Sequence, residues 1–378
     1  LKIALIEAPT SQSLNAFRWE DVYFPETPFP ICDYLNDKQN ELRVWDLESD
    51  APTDGKKLIQ ELQSFQPVVI GINDRQTTHG LVMERLIKQM FPRALVFFSP
   101  TQMTPQELLD KANLNAFSLR HRTKPMAGKV RLRRTWEDDE LFAVLPAALQ
   151  PQAYALEAEF SQKYSLHDWK QYLPDSAYRR NLYMLEILEE SLPAHLPLWE
   201  QRILRILDVG AGDWCYAPAI YQFFRYAHSE VPRKVYLTGV ELDPYRIDDE
   251  GYSRVDYALS YIDPVASQCR YLIQDIGDYA PELPYHAILQ FLPLVLEAAH
   301  LFWGLPLKYY HPQQSLHHLL ELLTSEGAML VANEIPAEFE RQLQLWQSEG
   351  QTPFLEGAFY SRFRQALTGF VSSIAKAP

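Results

Sequence analysis

The sequence predicts an α/β chain of two doubly wound parallel sheets, and three observations predict it. Short apolar strand patterns alternate with amphipathic helical patterns through the first 125 residues. The same alternation resumes at Ile203 and runs to Asn333. Between them lies a stretch that is first basic and then helical, so the predicted domains are residues 1–125 and 201–378, with a linker and helical connector or cap over 126–200. A chain of 378 residues is long enough for two domains that each bury a core.

In the first half the predicted strands are Lys2–Ile6, Leu42–Leu47, Val68–Ile72, Ala94–Phe98 and Ala116–Leu119. The helical segments between them lie near Phe29–Lys38, Lys56–Phe65, Thr78–Phe91 and Pro105–Lys111. Five strands with four crossovers make a complete small Rossmann-like domain. Residues Arg120 to Arg134 then gather seven basic side chains: Arg120, Arg122, Lys124, Lys129, Arg131, Arg133 and Arg134. This basic linker reads either as a contact for an anionic ligand or partner, or as a solvated loop balancing the acidic run Glu137–Glu140. The second reading is preferred, because charge runs mostly lie on surfaces. From Leu141 to Leu198 the pattern is helical, with Pro174 and Pro193 bracketing a long helix from about Asp175 to Leu192.

The second half reads as strand Ile203–Val209, helix Ala217–Tyr226, strands Lys234–Glu241, Arg270–Gln274 and Ala287–Phe291, helix Pro312–Leu323 and strand Ala328–Asn333. That order gives a second Rossmann-like sheet.

Composition narrows the function. Hydrophobic residues make up 47% and charged residues 22%, the balance of a folded soluble chain. A formal net charge of -14 argues against general nucleic-acid binding and favours a small-molecule or protein partner. The three cysteines, Cys32, Cys215 and Cys269, have no metal-binding spacing, so no metal is expected and a reducing cytoplasm fits. No apolar run approaches the length of a membrane span, and the opening LKIALIEAP lacks the features of a secretory signal. The sequence leaves the oligomeric state open.

The segment ILDVGAGDW, Ile206 to Trp214, sets an apolar strand before Asp208, Gly210 and Gly212 and then opens a helix. Glycines allow a sharp turn that brings backbone N–H groups to a ligand, so the loop reads as a nucleoside-cofactor cradle. The strand KVYLTGVELD ends in Glu241, whose carboxylate could accept both ribose hydroxyls, with Asp243 as the fallback. A dinucleotide fingerprint would need glycine or alanine where Cys215 stands. Asp208 would repel a pyrophosphate yet suit the ammonium of an amino-acid tail.

With these residues in view, ILDVGAGDW, GVELDPYR and YLIQDIGDY resemble the first three motifs of class I S-adenosylmethionine-dependent methyltransferases. The later YHAILQFLPLV, HLLELLTSEGAMLVANE and a hairpin-like C-terminus match that family's layout. The resemblance implies that Asp208, Gly210 and Gly212 line the methionine end, that Glu241 holds the ribose, and that Asp275 with the Ile276 backbone meets the adenine. The cofactor implied is S-adenosylmethionine. LQFLPLV departs from the Asn-Pro-Pro-aromatic motif of enzymes that methylate exocyclic base nitrogens, which argues against a nucleobase acceptor. Trp214 is bulky for its place: it either packs under the helix, the preferred reading, or projects into the methionine pocket.

The first domain resembles the cobalamin-binding-type domain in front of many radical S-adenosylmethionine enzymes. It has Ser99-Pro100 where those have glycines, no cysteine triad follows, and His79 lies outside any Asp-x-His-x-x-Gly motif, so no cobalamin is expected. On that footing residues Leu1 to about Lys124 should fold alone.

His311 is the candidate general base, while His317 and His318, adjacent on a helix, point to different faces. Tyr178 and Arg179, on the helix before the first motif, are further candidates. The function expected is methyl transfer to a small molecule or protein side chain. The rivals are a non-catalytic scaffold or assembly factor keeping the fold and, more weakly, cobalamin-linked methyl transfer.

Overall fold

The computed structural model describes residues 2–7, 41–46, 55–73, 85–98, 105–363 and 369–376. The chain divides into two compact units, one of residues 1–123 with 297–310 and the other of residues 124–296 with 311–378.

The first unit carries a parallel sheet of β1 (Lys2–Glu7), β2 (Glu41–Asp46), β3 (Val69–Asn73) and β4 (Leu95–Phe98) in the order β2-β1-β3-β4. Ala4, Ile6, Ile70 and Ile72 bury against Leu58, Leu62 and Phe65 of the helix Gly55–Phe65 and against Ile87 of a helical turn at residues 85–90. The segment Phe29–Lys38, His79 and Ser99-Pro100 fall outside the described residues.

Ala116–Leu119, expected as a strand, belongs instead to the helix Pro105–Thr123. Leu109, Ala112, Asn113, Ala116 and Phe117 are its buried residues, a spacing of three and four that lays them on one helical stripe. A short apolar run read by itself does not reveal that period.

Residues 297–310, counted from sequence with the second half, complete the first unit. Buried Asn113 donates from Nδ2 to the Leu301 carbonyl at 2.8 Å, Asp110 accepts from the Leu307 N–H, and Phe117 packs on Tyr309 with ring centroids 5.0 Å apart. The first unit thus includes a segment beyond the expected bounds of 1–124. A fragment of those residues should be less stable than the same fragment joined to 297–310, by about 0.5–1.5 kcal/mol from the lost Asn113 hydrogen bond alone. Urea unfolding of the two proteins checks this, and equal midpoints would refute it.

In the second unit seven strands follow: β5 (Ile203–Val209), β6 (Lys234–Glu241), β7 (Cys269–Ile273), β8 (Tyr285–Phe291), β9 (Leu323–Asn333), β10 (Leu355–Phe359) and β11 (Gly369–Ala375). They stand in the order β10-β11-β9-β8-β5-β6-β7, with β11 antiparallel to both β10 and β9 and the other pairs parallel. The chain runs outward from β5 through β6 to β7 and then returns to β8 on the other side of β5. The direction of winding therefore reverses between β5 and β8, the place where such sheets open a crevice at the C-terminal ends of their strands.

Both faces of this sheet are covered. Leu204, Ile206 and Leu237 pack with Leu182, Leu185 and Leu188 of the helix Asp175–Ser191, while Leu207, Val240 and Ile288 pack with Leu316 and Leu319 of the helix Pro312–Leu322. The helical connector is thus part of this unit's core. The helices Arg254–Tyr261, Glu297–Phe302 and Pro336–Ser348 were not anticipated.

The linker is not a freely solvated loop. The Ala127 and Gly128 N–H groups donate to the two carboxylate oxygens of buried Asp256 at 3.0 Å each, and the Val130 N–H donates to Ser260 Oγ at 2.8 Å. Asp256 also accepts from the Ser253 N–H and hydroxyl within a capping box of the helix Arg254–Tyr261. Burial raises its carboxyl, and the donors of Ser253, Ala127 and Gly128 outweigh that and hold it below the usual range. No described helix is long and apolar enough to cross a membrane.

Candidate functional site

The loop after β5 is shaped by three left-handed residues. Gly210 (φ +78°) and Gly212 (φ +60°) adopt that region without cost, and a Cβ at either would meet nothing within 4 Å, so the space beside the loop is open. The Gly210 and Ala211 N–H groups donate to the Val240 carbonyl at 2.9 and 3.2 Å, tying the loop to the end of β6.

Trp214 is the third, at φ +55°. A bulky side chain there costs of order 1–3 kcal/mol unless its surroundings compensate. They do: the indole is fully buried, lies 5.8 Å from the Tyr271 ring and donates from Nε1 to Asp208 Oδ2 at 2.7 Å. Its six-membered ring occupies the space over Gly239, where a Cβ would come within 2.7 Å of Cε2 and Cζ2. Gly239 is the residue paired with Asp208 across β5 and β6. Trp214 therefore packs into the sheet rather than projecting into open space.

Asp208 accordingly departs from the role the sequence suggested. Its carboxylate is wholly buried beneath Trp214 instead of lining an accessible pocket, and Oδ1 has no hydrogen-bond partner of ordinary geometry. Burial pushes its pKa up to about 7, against Trp214 and Tyr216, which lower it, and with Glu241, which raises it.

Glu241, at the end of β6, is nearly buried and organises the crevice. Its Oε2 accepts from the Gly212 N–H at 2.8 Å, its Oε1 from the Asp243 N–H at 2.8 Å, and Arg254 Nη1 stands 3.4 Å from Oε1. Oε2 thus keeps a lone pair for a further donor. Asp243 is fully buried and takes Nε and Nη2 of Arg246 at 3.2 and 3.0 Å, which makes it a brace of the loop after β6. Tyr271 on β7 donates to the Gly212 carbonyl at 2.7 Å. After β7, half-buried Asp275 accepts the Gly277 N–H at 3.1 Å and caps the turn Ile276–Asp278, while Ile276 packs on the core beneath. Asp208, Gly210, Gly212, Glu241, Asp243, Asp275 and Ile276 thus lie at or just beyond the C-terminal ends of β5, β6 and β7.

Two residues of the helix Asp175–Ser191 escaped the sequence reading. Asn181 donates from Nδ2 to the Cys215 carbonyl at 2.7 Å and accepts the Ala219 N–H on Oδ1 at 2.7 Å, satisfying a backbone donor in the first turn of the helix Ala217–Tyr226. Arg180 is exposed, with its guanidinium 5.8 Å from the Tyr216 ring centroid. Although the residue as a whole is solvent-accessible, its guanidinium lies close to protein groups: partial desolvation there lowers its pKa, and Cys215, Asp213 and Tyr216 outweigh that and raise it. The residues named from sequence on this helix serve elsewhere. Tyr178 is buried and donates to Glu157 at 2.8 Å, and Arg179 binds Asp175 and the Leu141 carbonyl. An asparagine inside a long helix was the available signal, because buried carboxamides must find partners.

His311 is the exposed N-cap residue of the helix Pro312–Leu322. His317 meets Glu349 at 2.8 Å, which with Glu321 raises its pKa, and His318 binds the Tyr279 carbonyl. Among the described residues no three His, Cys, Asp or Glu side chains are grouped to hold a metal.

No protein-family model matches the chain, and no curated protein matches its sequence. Among solved structures it is similar to the N-methyltransferase NodS of Bradyrhizobium japonicum, with 9% identity, coverage of 54% of this chain and 97% of that one, and a TM-score of 0.34. It is also similar to the magnesium protoporphyrin IX methyltransferase of Synechocystis, solved with bound SAH, with 10% identity, coverage of 54% and 84%, and a TM-score of 0.34.

Proposed function

We propose that the second unit binds S-adenosylmethionine at the ends of β5, β6 and β7 and transfers its methyl group to a small molecule or a protein side chain. The observation that carries this reading is the join between Gly212 and Glu241. A left-handed glycine with open space beside it donates its N–H to a carboxylate that closes the next strand, next to the point where the sheet reverses its winding. In this reading Glu241 accepts from the ribose hydroxyls, and Asp275 and the Ile276 backbone face the adenine. With Asp208 sequestered, the charged groups left beside the loop for the zwitterionic tail are Asp213 and Arg180. The sulfonium of the cofactor carries the methyl group. The chain's part is to hold it in line with the acceptor and exclude water.

Calorimetric titration with S-adenosylmethionine and its demethylated product tests the reading. Glu241→Ala should weaken binding tenfold to a hundredfold, as expected for loss of a charge-assisted pair of hydrogen bonds worth about 1.5–3 kcal/mol. Unchanged affinity in a folded variant would remove Glu241 from the site.

One observation favours the rival, a scaffold or assembly factor that keeps the fold without the reaction. Trp214 covers Asp208, so the acidic residue of the first motif is closed to a ligand. Absence of any heat of binding for either compound would decide for it. No role for cobalamin is assigned to the first unit.

A further inference from the structure

The linker carries a feature that methyl transfer does not use. Its 15 positions from Arg120 to Arg134 hold seven of the chain's 35 basic residues and no acidic one. Within the second unit this strap has no helix or strand, yet its backbone is fixed at both ends. Asp256 and Ser260 hold residues 127–130, and buried Trp136 donates from Nε1 to the Leu173 carbonyl at 3.2 Å. Between the anchors side chains alternate in exposure. Val130 and Leu132 are half-buried, with Leu132 against the core, while Lys129, Arg131 and Arg133 are exposed.

The charges divide into those already answered and those not. Lys129 pairs with Asp263, and Arg134 and Lys170 pair with Asp138. Lys124, Arg131 and Arg133 are exposed and make no ion pair or hydrogen bond with any described residue. The Leu132 N–H donates back to the Val130 carbonyl at 3.1 Å, closing a tight turn that carries Arg131, with Arg133 two positions on along the same exposed edge. Guanidinium groups in such a row suit phosphate oxygens in two-point contacts.

We propose that the strap Lys124–Arg134 is a binding surface for a single strand of nucleic acid, held through its phosphates and without base readout. The net charge of -14 does not forbid it, because charges farther off than about 8 Å are screened at physiological ionic strength. An acidic protein segment is the less favoured partner, since a polyphosphate offers a charge at every unit and releases condensed counterions on binding.

The test is fluorescence anisotropy of the full chain with a labelled oligouridylate of about 20 nucleotides. Three phosphate contacts predict roughly a twentyfold fall in affinity between about 50 and 200 mM salt. Arg131→Glu combined with Arg133→Glu should weaken binding at low salt by about tenfold or more. Neither side chain has a partner among the described residues to lose, so the variant should keep the wild-type melting temperature and its S-adenosylmethionine titration. That titration separates failure here from failure of the cofactor reading. Three outcomes would overturn the proposal: no salt-dependent binding, equal binding by the double variant, or preference for a polyglutamate peptide over the oligonucleotide.

Discussion

Trp214→Ala is expected to cost the second unit about 3–5 kcal/mol, the range for deleting a large aromatic side chain from a core that collapses only partly. Three losses coincide at this residue. The indole leaves a void above Gly239, the contact with Tyr271 goes, and Asp208 Oδ2 loses its donor while Oδ1 already has none. Urea unfolding measures the total, and Trp214→Phe separates the terms, since it keeps one aromatic ring in the core while removing the N–H, worth about 1–3 kcal/mol. Gly239→Ala supplies a second check. Its Cβ would collide with the indole in the native protein, so it should destabilise wild type and be tolerated in the Trp214→Ala background. The two changes are then strongly non-additive. A Trp214→Ala protein as stable as wild type that binds S-adenosylmethionine tenfold better would show that the indole gates the pocket instead.

How much of this was legible beforehand follows from the range of each interaction. The strands Ile203–Val209 and Lys234–Glu241 and the helix Ala217–Tyr226 have the bounds the sequence predicts, because apolar period and glycine placement are local signals. The helix Arg254–Tyr261 carried a local signal too, the Ser253 to Asp256 capping spacing, which was passed over. The fate of Asp208 was not local. It depends on a glycine 31 positions later in the chain that leaves room for the indole, and the two meet only when β6 pairs with β5. Glu241 was predictable from the end of its strand, whereas its hold on the Gly212 N–H needed the loop conformation. Residues 297–310 were misplaced for a related reason: short apolar turns reveal nothing about which core they will cover, and Asn113 and Phe117 lie nearly two hundred positions away.

The wholly buried carboxyl of Asp208 predicts a pH dependence whose sign can be worked out. In the folded chain it keeps its proton to about pH 7, while in the unfolded chain it loses it near the ordinary value of about 3.9. The folded state therefore binds the extra proton between those limits, and stability falls as pH rises through that window. The group's contribution is fully present below about pH 4 and lost once pH passes about 7, an order of 4 kcal/mol for a shift of this size. Asp208→Asn keeps an oxygen acceptor for the Trp214 N–H and cannot ionise. The variant should match wild type near pH 4 and be the more stable of the two at pH 8. Comparing urea midpoints of both proteins at the two pH values isolates the effect, because every other titrating group is shared. A stability difference that does not change with pH would mean that the Asp208 carboxylate is charged throughout. The consequence reaches the crevice itself. A carboxylate ionised beneath Trp214 lies on the strand that leads into the Gly210–Gly212 loop, and it repels the Glu241 carboxylate that accepts the Gly212 N–H. Cofactor affinity in wild type should therefore weaken above pH 7 and stay level in Asp208→Asn, which calorimetry across that range would reveal.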